Sequence, residues 1–236
     1  MAQTLRNRKK LTEIGTRQLR KFFKEQGERV VDALPKASNE PVEARFKSID
    51  WDHEDELLKD LMDKYYQANG KAAYAQVSAF TDADLAWDVA NPNVSRVMQM
   101  LGHRIVDISE NTRLDVAKVI TDGLAEGMGY QELGKELTGL FEETYRNRAE
   151  TIARTESMVS YNHASTLGYQ ESGSVDEVEL IDNPDHVDDY GASDGLTCAE
   201  CHHLRVSVND VDQHIEAEHP NGSLGVIPIL NRTLGE

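Results

Sequence analysis

Residues 145–173 read YRNRAETIARTESMVSYNHASTLGYQESG, and the fold turns on how this stretch is read. It predicts the longest late helix, from about Tyr145 to Glu171. Gly173 is its C-terminal cap, because glycine takes the left-handed turn that ends a helix at little steric cost. Beyond Gly173 the character of the chain changes. In SVDEVELI, Val175, Val178 and Leu180 alternate imperfectly with acids and read as a strand. Short apolar runs follow at Leu204–Val208 and Val226–Leu230, joined by connections rich in Gly, Asp, Asn and Pro. A sheet of two to four strands is expected there.

Before Tyr145 the apolar spacing is helical. Leu11, Ile14, Leu19, Phe22, Phe23, Val30 and Leu34 place one helix over about Leu5–Leu34, stopped by Pro35. Residues 36–41, KASNEP, read as a linker. A second helix starts after Asp50, passes Leu57, Leu58, Leu61, Tyr65 and Tyr66, and runs toward Phe80 with a break expected at Gly70. Residues 82–93 read as a loop. Three further helices are expected: Val94–Leu101; one from near Ser109 through Leu114, Val116, Ile120 and Leu124; and Tyr130–Phe141. The fold class is therefore mainly α with a small C-terminal α+β module. Its parts are a basic N-terminal helix and linker (1–44), a helical body (45–172) and the module (173–236).

The net charge of −17 is unevenly spread. Residues 1–36 carry ten Lys and Arg against four acids, whereas the rest carries 15 bases and 38 acids. From Glu171 to His219 there are 14 acids and one base, Arg205. Such a surface repels phosphate backbones, so only the N-terminal helix is suited to nucleic acid or to an acidic protein face. No apolar run reaches the roughly 18 residues a membrane span needs. The first residues, MAQTLRNRKKLTEIG, show no apolar signal region, and a cytosolic protein is expected.

Cys198, Cys201, His214 and His219 are spaced C-x2-C-x12-H-x4-H. Thiolate and imidazole are the ligands zinc prefers, and four of them close a tetrahedral structural site. A zinc-stapled knuckle is expected, since so weakly hydrophobic a module needs a staple or a neighbour. His202 and His203 are alternative ligands. A DNA-reading finger is rejected. Arg205 stands where such a finger has an aromatic residue, and Asp210, Asp212, Glu216 and Glu218 would face DNA with the wrong charge. The plainer alternative is a reduced dithiol among unrelated histidines.

Arg148–Gly173, with its R-A-x-x-I-A-R-T-E helix, resembles the signature of the phage Mu F-like head morphogenesis (minor capsid) family. Asp194, Thr197-Cys198 and Cys201 resemble the family's D-x-x-T-C-x-x-C turn. His219-Pro220-Asn221 resembles its H-P-N element, and Val226–Leu230 its closing strand. Residues 49–66 and 91–113 also resemble the helical region that precedes this domain. Gly222 and Leu224 stand where the family has cysteines, and His214 is the replacement ligand. The resemblance implies a structural component of the virion, made in the host cytoplasm, present in few copies and associated with the portal or inner capsid. Portal or other capsid proteins are the implied partners within a larger assembly, with a DNA contact through the basic helix and no membrane. It also implies that Arg154 and Glu156, which point to different faces, each anchor a turn of the C-terminal module by charged hydrogen bonds.

Enzyme readings fare less well. A metal-dependent His-Asn-His nuclease would draw on the cysteines, the histidines and Asn221, but only Arg205 is available there to hold phosphate. No G-x-S-x-G element, phosphate loop or dinucleotide fingerprint occurs. Residues 185–189, DHVDD, read as a solvated acidic loop or a cation site. A zinc-containing regulatory adaptor that docks through the basic helix is the remaining alternative.

Overall fold

The computed structural model describes residues 2–34, 42–182, 198–217 and 222–231. Among these the protein is mainly helical, with one small sheet. The helices are α1 (Ala2–Ala33), α2 (Val42–Lys47), α3 (Trp51–Thr81), α4 (Pro92–Ala125), α5 (Tyr130–Gly139) and α6 (Tyr145–Ser172). A π-helical turn, Leu140–Thr144, joins α5 to α6. Then come β1 (Val175–Ile181), α7 (Cys198–Cys201), β2 (Arg205–Ser207), α8 (Asp212–Ala217) and β3 (Gly225–Leu230). The chain forms two compact units, and α1, α3, α4 and α6 each contribute to both.

The first unit comprises the described parts of Met1–Glu13, Lys64–Leu101 and Thr151–Glu236. Its sheet has the order β2-β1-β3, antiparallel throughout. The imperfect alternation in SVDEVELI has a structural cause. The register against β3 shifts between Val175 and Glu177, so Asp176 is an extra residue in the strand. That bulge lets Val175, Val178 and Leu180 all face inward. Pro228, which has no N–H to donate, sits in an edge strand, where its loss of a ladder bond is tolerated.

The second unit comprises Ile14–Asp63 and Gly102–Glu150. Phe23 and Phe141 pack on Tyr145, with ring centroids 4.8 and 5.0 Å away, among buried Leu19, Leu58, Met62, Val116, Ile120, Leu133 and Leu137. Arg29 grips the buried Glu54 through two bonds, of 2.5 and 2.7 Å, the fork geometry that suits a guanidinium to a carboxylate.

Two expected helix boundaries are corrected. The break at Gly70 does not occur: α3 is continuous, and a Cβ at Gly70 would lie 2.3 Å from Cε2 of Trp87. Glycine is there to admit an indole ring. Val94–Leu101 and the Ser109 helix are one helix, α4. Val94, Val97, Leu101, Ile105, Ile108, Val116 and Ile120 continue one buried stripe through Gly102. Asn91 caps it by accepting the Asn93 N–H at 2.9 Å, with Pro92 as first helical residue. Leu114, expected on that stripe, is 67% exposed. The end of α6 is as expected, with Gly173 at φ +63°. The expected zinc-stapled knuckle is not supported among the described residues. From Cys198 to Ala217 the chain forms α7, β2 and α8 instead.

Candidate functional site

Within the part of α6 that belongs to the first unit, one stretch of about four turns has no outward face. Every residue from Thr155 to Tyr169 is buried, although eight of the fifteen are Thr, Glu, Ser, Asn or His. Buried polar groups of this kind must find partners, because each unpaired one costs free energy. Small side chains let the neighbours approach. A Cβ on Gly168 would meet Val77 of α3 at 3.2 Å.

Toward α3, the Tyr65 hydroxyl donates to the Ala153 carbonyl at 2.9 Å and the Tyr66 hydroxyl to Glu156 Oε2 at 2.8 Å. Ser157 donates to Asn69 Oδ1 at 2.9 Å, and Tyr161 donates to Gln76 Oε1 at 2.5 Å. Burial pushes the phenols of Tyr65 and Tyr161 up to about 12, an effect partly offset at Tyr161 by Arg8.

Toward the C-terminal elements, Asn162 Nδ2 donates to the Leu224 carbonyl at 2.8 Å, beside Arg8, whose Nη1 reaches the same oxygen at 3.4 Å. Gln170 donates to the Val208 carbonyl at 3.1 Å. His163, its side chain 1% exposed, has Nδ1 3.0 Å from Asp212 Oδ1 and Nε2 2.6 Å from Glu216 Oε1, both on α8. Burial alone would lower the imidazole, but the bonds to the two carboxylates outweigh it and hold His163 above its ordinary value. The bond from His163 in turn holds Asp212 below the usual carboxylate range, with Arg96 adding to the effect.

The residues singled out from sequence fall as follows. Glu156 is buried on α6 against Tyr66; Arg154 is exposed, near enough to Arg8 to depress its guanidinium further after desolvation. Cys201 is buried in α7 and His214 is buried in α8. His203 Nδ1 lies 2.7 Å from Glu179 Oε1. Asp194, His219 and the 185–189 stretch lie outside the described residues, as does the side chain of Cys198.

The expected structural zinc is corrected. Among the described residues no group of three or more His, Cys, Asp or Glu side chains is placed to hold a metal ion. The weakly hydrophobic module is held by hydrogen bonding instead. The His203 N–H donates to the Leu180 carbonyl, the Leu180 N–H to the Leu204 carbonyl and the Val208 N–H to the Asp176 carbonyl. Asn162, Gln170 and His163 tie these elements to α6.

Both nitrogens of His163 face carboxylates, which suits it to holding two segments together and leaves neither nitrogen for a substrate. Sequence reading missed this cluster. Its one signal is the i,i+4 spacing of Asp212 and Glu216, which places two acids on one face of a single helical turn. In the second unit, a groove of about 500 Å³ between α1 and α5 is lined by Val31, Tyr130, Gly134, Lys135, Thr138 and Glu142, among others. Compared with family models, with curated proteins and with solved structures, the chain matches none.

Proposed function

We propose that this chain is a structural assembly component of a phage head, a minor capsid protein of the Mu F-like kind that works by binding rather than by catalysis. The segment resembling that family's signature, Arg148–Gly173, includes the buried part of α6 on which the C-terminal elements are mounted, and this coincidence carries the reading. A signature made of side chains that hold a fold together suits a component whose product is a shape.

The basic start of α1 is the contact surface this reading favours. Arg6, Lys9 and Lys10 are exposed on it at helical spacing. Further along, Arg20, Lys21, Lys24 and Arg29 are matched by Glu150, Glu25, Glu28 and Glu54. Among the described residues no acid is seen to match Arg6, Lys9 and Lys10, and this reading offers them to an acidic face of a portal or capsid protein, or to packaged DNA. Among the described residues no helix is long and apolar enough to cross a membrane.

The test is to purify particles of the phage that encodes the chain and quantify it by mass spectrometry, alongside co-purification with the portal protein. Low-copy retention in particles is expected, weakened when Arg6, Lys9 and Lys10 are changed to Glu. Absence from particles and from portal complexes would overturn the proposal. So would reproducible DNA cleavage by the purified chain that His219→Ala abolishes.

A further inference from the structure

The His163 cluster supports an inference beyond assembly. Asp212 and Glu216 begin and nearly end α8, half-exposed at 55% and 42%, yet both turn one oxygen onto the same buried ring. Only an imidazole protonated at both nitrogens can donate to two carboxylates at once. A neutral ring would turn a lone pair toward one of them, replacing a charge-assisted bond by repulsion. The geometry therefore favours the charged ring.

The groups that face this ring are few. Asp212 and Glu216 come from α8, and Arg96 of α4 acts on Asp212. The two carboxylates act on His163 most strongly after burial itself, and the buried His214 is the other titratable imidazole on α8. Besides this link, α8 is seated by the buried Val211, His214 and Ile215, and its one turn carries few backbone bonds, such as Ile215 N–H to the Val211 carbonyl at 3.2 Å. A six-residue helix has almost no stability of its own.

We propose that His163, Asp212 and Glu216 form a proton-operated latch: the charged imidazole clamps α8 to the central helix, and loss of its proton lets α8 open while the sheet stays folded. A device of this kind would let the C-terminal elements change their exposed surface without unfolding the unit that carries them. Local opening of this sort is the low-stability end of a folded protein's range.

The test uses the isotopically labelled full chain. Ring nitrogen NMR shifts report the His163 charge, and hydrogen exchange at the His214 and Ile215 amides is compared with that at Leu180 and Leu204 in the sheet region. At neutral pH both ring nitrogens should carry protons. Raising pH through the imidazole titration should lower α8 protection roughly tenfold or more, the scale of one lost charge-assisted bond, and leave the sheet unchanged. Glu216→Gln should move the titration down and the loss of protection with it. His163→Gln should give low α8 protection with no pH step. A neutral His163 at neutral pH, α8 protection flat across its titration, or parallel loss in α8 and sheet would each overturn the latch. Should His163→Gln fail to fold, wild type and Glu216→Gln still decide.

Discussion

The Tyr66 hydroxyl donates to Glu156 Oε2 at 2.8 Å, joining α3 to α6 inside the first unit. Both residues are buried. Tyr66→Phe removes the donor and keeps the ring, so it should cost about 1–3 kcal/mol, the desolvation penalty of a buried acceptor left short of a partner. Glu156→Gln retains an acceptor and should cost less. Urea denaturation of the two variants checks the order; a reversed order would show that the bond is unimportant.

Asn162 anchors the segment leading into β3 through the Leu224 carbonyl. Asn162→Ala leaves that oxygen with only the longer contact from Arg8. A loss of about 1–3 kcal/mol is expected. Hydrogen exchange should rise first in β3. Uniform acceleration across both units would contradict a local anchoring role.

Two glycines should answer oppositely to alanine. At Gly70 the new methyl would collide with Trp87, at 2.3 Å, and displace a ring packed edge-on to Tyr74; about 1–3 kcal/mol should be lost. At Gly102 nothing lies within 4 Å and the backbone is helical, so alanine should gain about 0.5–1 kcal/mol. Thermal denaturation of both variants is the check.

The same two glycines show what sequence can and cannot convey. Both look like helix breakers, and only the tertiary setting reveals one as a slot for indole and the other as a bystander. Gly173 was legible because a C-terminal cap depends on local backbone geometry alone. In α4, Val116 and Ile120 were legible as buried positions from their spacing, but the continuity of the helix through Gly102 was not. Leu114 was not, since apolar character does not say which face a helix buries. The sheet could be read from Val175, Val178 and Leu180, but not its bulge. The Cys and His spacing was a weak guide, since it records distance along the chain whereas coordination needs convergence in space, and no metal-holding group forms among the described residues. His163 escaped notice because its partners are some fifty residues away and pair with it only across the fold.

Stability should respond to pH from both sides of the His163 cluster. His163 is held above its ordinary value, so its contribution is fully present below about 6.5 and is lost as pH rises through its higher folded value. Asp212 is held low, so its contribution is present above about 3.9 and is lost as pH falls through its folded value. The melting temperature should be highest between these limits. His163→Gln should flatten the alkaline limb and Asp212→Asn the acid limb. Unchanged limbs in both variants would refute the assignment.

Five of the eight tyrosines should resist ionisation. Burial raises Tyr65 and Tyr161 to about 12, and raises Tyr74, Tyr145 and Tyr169 as well. In a near-ultraviolet titration of the folded chain, fewer than half the phenols should ionise near the ordinary value of about 10. All eight should do so in urea. Full titration of the native chain near that value would refute the burial of these rings.

A helical stretch with no outer face also dictates an order of events at the ribosome. Thr155–Tyr169 emerges after α3 and α4, and Val77 of α3, which packs on Gly168, must wait uncovered until it arrives. The strands, synthesised later still, then have a surface to settle on. A nascent or cleaved chain ending before Thr151 keeps that slot open to water, and clumping with its own kind or capture by a chaperone is its expected fate.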